Sequence, residues 1–295
     1  MPLQSAAVSV VAEKARAWAE IDLSALARNL AWLRERAGGR RVIAVVKANG
    51  YGHGAVSVAR ALVRAGAAAL AVVTLEEARE LRVAGLSAPI LLLNGPLTPE
   101  QADELLALRV VPTLTTTAHL QAVEAAAGRA GVRAPVHVKL DTGMGRLGFQ
   151  PDGLSPLLDR LRSAPAVVLE GVMSHLAEAD DPRSAGTERQ RKVFAELLAR
   201  VRDAGFDPEW VHLDNSAGVV RGPSPSTTAI RPGLMLYGAD PTLEGGHALD
   251  PVMTLYARAC QAKEVPAGTR IGYGGTFEAA RATRILTLPI GYADG

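Results

Sequence analysis

Short apolar runs alternate with segments of helical periodicity along most of the chain. The runs are rich in β-branched residues, and the segments between them repeat apolar side chains at the spacing of an amphipathic helix. Eight runs predict strands: RVIAVVK, ALAVVT, PILLLN, VVPTL, VHVKLD, VVLEGVM, WVHLDN and TTAIRPG. This alternation predicts a parallel sheet whose strands are joined by helices.

Several of these predicted strands are apolar at nearly every position, so both faces of the sheet should be covered. The eight units extend over roughly 215 residues, which is the usual size of a closed barrel ringed by helices. We therefore predict an α/β fold, a (β/α)8 TIM barrel. An open, doubly wound sheet is the alternative that the same pattern allows.

Sequence signals for the starts and ends of helices agree with this alternation of strands and helices. Thr74 with Glu77, and Thr98 with Pro99 and Gln101, each predict a capping box at the start of a helix. The segments AGLSAP and DAGFDP each place a glycine ahead of a proline, which predicts a helix end.

The pattern changes after about Tyr237. The remaining segment has short alternating strands, glycine turns and no long helical pattern, which predicts a small antiparallel β domain. A short strand in ARAWAEIDLSAL, near the start of the chain, can join that domain. We predict a flexible tail over residues 1–14, the barrel with a leading strand over 15–238, and a partial β domain over 239–295.

Composition narrows the classes of function. The chain has 295 residues, 48% of them hydrophobic, and a formal net charge of +2, so it offers no strong field for nucleic acid or a lipid surface. Cys260 is the only cysteine, which excludes an internal disulfide. The N-terminus is a poor secretory signal, and no apolar run approaches the length of a membrane helix. These features favour a cytoplasmic protein without nucleic-acid or membrane partners.

One lysine stands out in the stretch VVKANGYGHG. Lys47 closes the first predicted barrel strand, and the carboxyl ends of such strands face the reaction site. The apolar run of residues 42–46 leads directly into it, so its amine can be desolvated and act as a nucleophile or base. A solvated surface lysine is the other reading of this residue taken alone.

AVVKANGYGHGA resembles the pyridoxal-phosphate lysine motif of the alanine racemase family. KLDTGMGRLGF, MSHLAEAD, HLDNSAG, IRPGLMLYG, GYGGTF and LPIGYADG resemble the other signatures of that family in the same order. The seven blocks span Ala44 to Gly295. The resemblance implies a barrel with a β domain, a pyridoxal 5'-phosphate cofactor, and a homodimer with shared active sites.

The resemblance also implies catalytic roles. Lys47 would form a Schiff base with the cofactor's aldehyde and then act as one base, whereas Tyr273 would be the second base, contributed by the partner subunit. Racemisation needs both because one proton leaves one face of the α-carbon and another arrives at the opposite face. His175 would bond the tyrosine, and Arg231 would bond both the histidine and the cofactor's ring nitrogen.

Further binding residues follow from the same resemblance. Arg146 and Tyr273 would contact the substrate, because a guanidinium can grip a carboxylate with two hydrogen bonds. Lys139 matches a lysine that many family members carry in carbamylated form. Asp141 should orient its loop, and His53 should order the turn after Lys47. The cofactor contacts would come from Lys47, Tyr51, Arg146, Asn215, Ser216, Arg231, Gly233 and Leu234; no metal is expected.

The activity implied is interconversion of L-alanine and D-alanine, which would supply D-alanine for peptidoglycan. Serine and broad-specificity racemases share these blocks, and a non-enzymatic carrier of the cofactor and a decarboxylase of the same general fold are further alternatives. Tyr273 argues against a carrier, which has no use for a second base. Members of the family continue beyond GYADG, so we expect a chain of this length to bind the cofactor but to racemise poorly.

Overall fold

The computed structural model describes residues 15–294 and divides into two packing units. The larger unit is Asp22–Val252. The smaller unit is drawn from both ends of the chain, and its described part is residues 15–21, which hold strand β1 (Ala17–Ile21), and residues 253–294. The tail predicted for residues 1–14 lies outside the described residues.

The larger unit is a closed barrel of eight parallel strands. In chain order they are β2 (Arg41–Val45), β3 (Ala69–Val72), β4 (Ile90–Leu92), β5 (Val110–Leu114), β6 (Ala134–Lys139), β7 (Val167–Met173), β8 (Trp210–His212) and β9 (Ala229–Ile230). Each strand overlaps one of the eight predicted runs. Pairing of β9 with β2 closes the ring, so the predicted TIM barrel is confirmed and the open sheet is excluded.

Helices connect the strands and surround the barrel. They are α1 (Leu23–Arg36), α2 (Ala55–Arg64), α3 (Leu75–Val83), α4 (Pro99–Ala107), α5 (Thr117–Ala130), α6 (Leu154–Arg162), α7 (Gly186–Asp203) and α8 (Ser216–Val220). Short 3₁₀ turns cover residues 151–153, 234–237 and 273–275. Within the described part of the chain, no helix combines the length and apolar character needed to cross a membrane.

The predicted caps form with one difference. Thr74 and Glu77 make a complete capping box at the start of α3. At α4, the Thr98 hydroxyl accepts the N–H of Gln101, but the Gln101 side chain accepts from Leu97 at 2.8 Å. The Gln101 side chain therefore accepts the N–H of the residue before the N-cap, and not the N–H of Thr98 that a capping box requires.

Clusters of buried apolar residues, among them the following two, hold the barrel unit together. One packs helices α5 to α8 on their strands, with Phe194 fully buried within it. The other contains alternate strand residues, among them Ile43 with Val45 and Ala69 with Ala71, which share one face because side chains of a strand alternate. The small side chains of this second cluster leave the barrel interior room for polar groups.

The described part of the smaller unit contains three antiparallel strand pairs. β1 pairs with β10 (Met253–Ala257), β11 (Gln261–Val265) pairs with β14 (Thr283–Thr287), and β12 (Arg270–Ile271) pairs with β13 (Phe277–Glu278). The leading strand, which was predicted within the barrel segment 15–238, therefore pairs within the smaller unit. That unit begins at Met253 rather than near Gly238 because the Asn29 amide bonds the backbone of Asp250 in both directions and holds the intervening segment to α1.

Phe194 provides a test of this packing. Replacing Phe194 with Ala should lower the free energy of unfolding by about 3–5 kcal/mol, because buried apolar surface is lost and a cavity remains. Val83, which is 83% exposed on α3, is the control, and Val83→Ala should change the value by less than about 0.5 kcal/mol. Urea unfolding followed by circular dichroism measures both. Equal effects of the two substitutions would contradict the packing described.

Candidate active site

A cavity of about 530 Å³ opens in the barrel unit at the carboxyl ends of the strands. Active sites of TIM barrels lie at this end. Ten of the eleven site residues predicted from the sequence line it: Lys47, Tyr51, Lys139, Arg146, His175, Asn215, Ser216, Arg231, Gly233 and Leu234. The eleventh, Tyr273, belongs to the smaller unit, where its side chain is fully exposed.

Lys47 follows β2 and immediately precedes one turn of left-handed helix. The φ angles of Ala48, Asn49 and Tyr51 are 51°, 53° and 53°, and Gly50 between them has the same sense. The left-handed helical conformation costs residues with a Cβ about 1–2 kcal/mol each, and such strain is concentrated at functional sites. The sequence predicted a sharp bend made by glycines here, but non-glycine residues adopt it too.

Glu77 holds this strained turn in place. Its Oε1 accepts the N–H of Ala48 at 2.6 Å, and its Oε2 accepts the N–H groups of Val73 at 2.8 Å and Thr74 at 3.2 Å. One carboxylate thus caps α3 and also fixes the backbone beside Lys47 to the loop after β3. The sequence identified Glu77 only as a helix cap.

His53 and Tyr237 pack beneath the turn. His53 Nδ1 lies 2.9 Å from the carbonyl of Tyr51 and 3.1 Å from that of Gly50, so it donates to the loop backbone, as expected of a residue that orders the loop. The Tyr237 hydroxyl donates to the carbonyl of Val45 at 3.0 Å, and its ring lies 4.9 Å from that of Tyr51. These contacts tie the turn to the end of β2.

A group of hydrogen-bond donors forms at one end of the cavity. Ser216 Oγ accepts the N–H of Gly233 at 3.0 Å, so its own O–H can donate to a bound group, and Asn215 Oδ1 caps α8 by accepting the N–H of Gly218. A Cβ at Gly233 would lie 2.5 Å from the Tyr51 hydroxyl oxygen, so glycine is required for this close approach. Burial raises the pKa of Tyr51, which keeps its hydroxyl protonated. This end of the cavity could hold an anion such as phosphate.

Arg231 is 2% exposed and lies just beyond β9. Its Nη1 donates to His212 Nδ1 at 2.6 Å, and its Nη2 donates to the Ser174 carbonyl at 2.8 Å and to His175 Nδ1 at 2.9 Å. Burial lowers the pKa of Arg231 to about 10, so it stays charged near neutral pH. Among the described residues Nε–H has no acceptor, which leaves it available to a bound group.

His175 is held in one tautomer by this arginine. Because guanidinium only donates, His175 Nδ1 must accept, and the ring proton is on Nε2. Burial and the nearby charge of Arg231 lower the pKa of His175 well below its usual range, so the ring is neutral near pH 7. The contact between arginine and histidine that the resemblance implied is present.

Lys139 and Arg146 add positive charge to the same cavity. Lys139 ends β6 and is 4% exposed; burial, then Arg146, then Arg231 lower its pKa to about 8. A substantial share of this amine is therefore neutral at mildly alkaline pH. Arg146 is exposed on the loop that follows β6.

Asp141 fixes the loop that carries Arg146. Its Oδ1 accepts the N–H groups of Gly143 and Met144 at 3.0 Å and of Gly145 at 3.1 Å. Burial raises the pKa of Asp141, but these hydrogen bonds outweigh burial and the pKa is lowered. The carboxylate therefore stays ionised and orients the loop, as the sequence suggested.

Some residues of the site were not singled out from the sequence. Asn94, Met173 and Asp180 line the cavity, and His137 and His212 are buried beside Arg231. A signal for the two histidines was available, because each is a polar residue inside an apolar predicted strand, VHVKLD or WVHLDN. Loop residues such as Asn94 carry no comparable signal.

Comparisons with known proteins agree with the geometry. The family model for the alanine racemase N-terminal domain matches residues 21–241, and that for the C-terminal domain matches residues 252–295. The alanine racemase of Desulforamulus reducens is 43% identical over 284 residues, which cover 94% of this chain and 76% of that protein. The alanine racemase of Synechocystis sp. is 41% identical, with coverage of 95% and 76%.

Solved structures that resemble this chain are also alanine racemases. Alanine racemase from D-cycloserine-producing Streptomyces lavendulae superposes with a TM-score of 0.89 at 38% identity, covering 95% of this chain and 75% of that chain. Alanine racemase from Bartonella henselae with covalently bound pyridoxal phosphate gives a TM-score of 0.83 at 30% identity, covering 95% and 77%. This chain thus spans about three quarters of the length of both proteins.

The pKa of Lys139 makes stability depend on pH. Above pH 8 the folded chain releases a proton that the unfolded lysine keeps up to about 10.5, so the cost of burying the charge disappears as pH rises. The free energy of unfolding of the wild type should therefore rise relative to Lys139→Gln, by about 1–3 kcal/mol in all, between pH of about 8 and about 10. Urea unfolding in buffer free of carbon dioxide measures this. Lys192→Gln, at an exposed lysine, is the control; a difference between wild type and Lys139→Gln that does not vary with pH would contradict the prediction.

Proposed function

The chain belongs to the alanine racemase family, and on this premise we propose that it interconverts L-alanine and D-alanine with pyridoxal 5'-phosphate as cofactor. The observation that carries the proposal is the convergence, in one cavity, of Lys47, the bonded pair Arg231 and His175, and the close approach of Gly233 to Tyr51. Lys47 supplies an amine that can bond an aldehyde. Arg231 and His175 supply a fixed cation beside a neutral imidazole, and the approach of Gly233 to Tyr51 forms a binding site for an anion.

The donors in the cavity fit this cofactor. Lys47 would bond its aldehyde carbon, and the Tyr51 and Ser216 hydroxyls would hold its phosphate. The free Nε–H of Arg231 would donate to its ring nitrogen. When bound, the cofactor supplies an electron sink for the charge left on the substrate's α-carbon.

Arg231 limits how far that charge spreads. A guanidinium keeps its proton, and with a pKa of about 10 Arg231 donates a hydrogen bond without transferring the proton. Arg231 would therefore leave the cofactor's ring nitrogen unprotonated, which would limit the negative charge that the ring can take up. This restraint would favour return of a proton to the α-carbon over side reactions such as transamination.

Two bases on opposite faces of the substrate's α-carbon would move the protons. Lys47 serves one face. We propose that Tyr273 of a second copy of the chain serves the other, in a homodimer with shared sites. A tyrosine has an ordinary pKa of about 10, so its phenolate needs a donor, and the Nε2–H of His175 can provide it.

Arg146 would bind the substrate's carboxylate, and Lys139 would position Arg146. Arg146 offers a planar pair of donors to a carboxylate, but the charged ammonium of Lys139 would repel the Arg146 guanidinium. Because its pKa is about 8, the Lys139 amine can react with carbon dioxide, and the resulting carbamate would attract Arg146 instead of repelling it. We further propose that the D-alanine formed serves peptidoglycan synthesis.

Borohydride trapping tests the role of Lys47. Reduction of the protein loaded with cofactor should leave one pyridoxyl group on Lys47, detected by mass spectrometry of peptides. Lys47→Ala should lose the label and slow exchange of the alanine α-hydrogen with deuterium by about a hundredfold to ten-thousandfold, because one base is removed. Lys192→Ala is the control and should retain both. A label at any other lysine would end the proposal.

Mixed subunits test the sharing of sites. Lys47→Ala and Tyr273→Phe chains should each be inactive alone. A random mixture should recover about a quarter of wild-type activity, because half of the dimers are hybrids with one intact site of two. Each variant mixed with itself is the control. Absence of recovery, with subunit exchange verified by mass-tagged chains, would rule out shared sites.

A further inference from the structure

A row of buried polar side chains leads away from Arg231 through the barrel interior. Arg231 Nη1 lies 2.6 Å from His212 Nδ1, and His212 Nε2 lies 2.8 Å from His137 Nδ1. His137 Nε2 in turn lies 3.5 Å from Glu170 Oε2. His212 and His137 are 0% and 3% exposed, so neither exchanges these partners for water.

Arg231 fixes the direction of this whole row. Its guanidinium can only donate, so His212 Nδ1 accepts and the His212 proton is on Nε2. His137 Nδ1 then accepts from His212, and the His137 proton is on Nε2, which faces the carboxylate of Glu170. Every donor in the row therefore points from Arg231 toward Glu170.

The strand geometry is built to bring Glu170 to this position. Along the pairing of β6 with β7, Val136 lies opposite Leu169 but His137 lies opposite Gly171, so Glu170 is the extra residue of a β-bulge. Bulges re-aim side chains next to functional sites. A Cβ at Gly171 would lie 2.6 Å from ring atoms of His137, so glycine provides the space that the imidazole occupies.

The row also has an electrostatic consequence. Burial lowers the pKa of both His137 and His212, so both rings stay neutral and Arg231 is the only cation in the row. Buried polar groups are costly unless they are bonded, and an apolar pair would fill this part of the barrel at lower cost. Retaining two imidazoles between Arg231 and Glu170 therefore points to a role in the chemistry at Arg231.

We propose that Glu170 is a positioning residue for the reaction: through His137 and His212 it holds the Arg231 guanidinium in one orientation. The Nε–H of Arg231 is thereby kept in place for the cofactor's ring nitrogen. The part of this inference that concerns the cofactor rests on the proposed function. The orientation of Arg231 and the direction of the hydrogen bonds along the row do not depend on the proposed function.

The direction of the row can be measured without turnover. Long-range ¹H–¹⁵N spectra of the protein with ¹⁵N-labelled histidine distinguish the two neutral tautomers from the imidazolium, and single histidine substitutions assign the signals. His137 and His212 should both be neutral with the proton on Nε2 near pH 7. A proton on Nδ1 of either ring, or an imidazolium at either position, would overturn the proposal.

Glu170→Gln tests the role of the carboxylate. It should shift the His137 signals and raise the rate of solvent exchange of the Arg231 Nε–H by about threefold to tenfold, because the far end of the row loses its charge. In the holoenzyme, kcat should fall by a similar factor while KM changes by less than about twofold. Glu196→Gln is the control, since Glu196 is an exposed carboxylate on α7.

The outcomes separate the two proposals. A wild type without racemase activity, but with the expected tautomers and faster Arg231 exchange in Glu170→Gln, would remove the proposed function and keep the positioning of Arg231. A wild type that racemises, with Glu170→Gln indistinguishable from Glu196→Gln in His137 signals, Arg231 exchange and kcat, would remove the positioning role alone.

Discussion

A guanidinium buried at the end of the barrel is the constraint on which the polar interior depends. Arg231 can only donate, so each group that touches it must accept, and this fixes the tautomers of His175 and His212. His212 then fixes His137. The barrel interior therefore cannot be wholly apolar: β6 and β8 each carry a histidine where most barrel strands carry branched aliphatic residues.

Backbone strain at Lys47 is the second feature that the fold maintains. Three non-glycine residues hold left-handed conformations directly after β2, and the carboxylate of Glu77 binds the first of them. A flexible loop would relax, but this turn is fixed on one side by the closed sheet and on the other by the capped start of α3. The lysine is consequently presented from a rigid base, which suits the covalent and proton-transfer roles proposed for it.

Charge in the cavity is concentrated although the chain as a whole is nearly neutral. Lys139, Arg146 and Arg231 all line one cavity, and burial followed by the positive charges of the two arginines lowers the pKa of Lys139. The formal net charge of +2 conceals this local field. An anionic phosphate and a substrate carboxylate would both relieve the repulsion, so the same arrangement that is costly in the free protein favours binding of a doubly anionic complex.

The sequence by itself determined the eight strands, their order, the helix caps and ten residues of the cavity, because strand and helix periodicity and ordered motifs are local properties of the chain. Only the tertiary structure decided that β1 pairs with β10, that Glu77 reaches the turn at Lys47, and that a β-bulge turns Glu170 toward His137. His137 and His212 are 75 positions apart in the chain. A periodic pattern states which face of a strand is buried, but closure and register of the barrel decide which buried side chains meet.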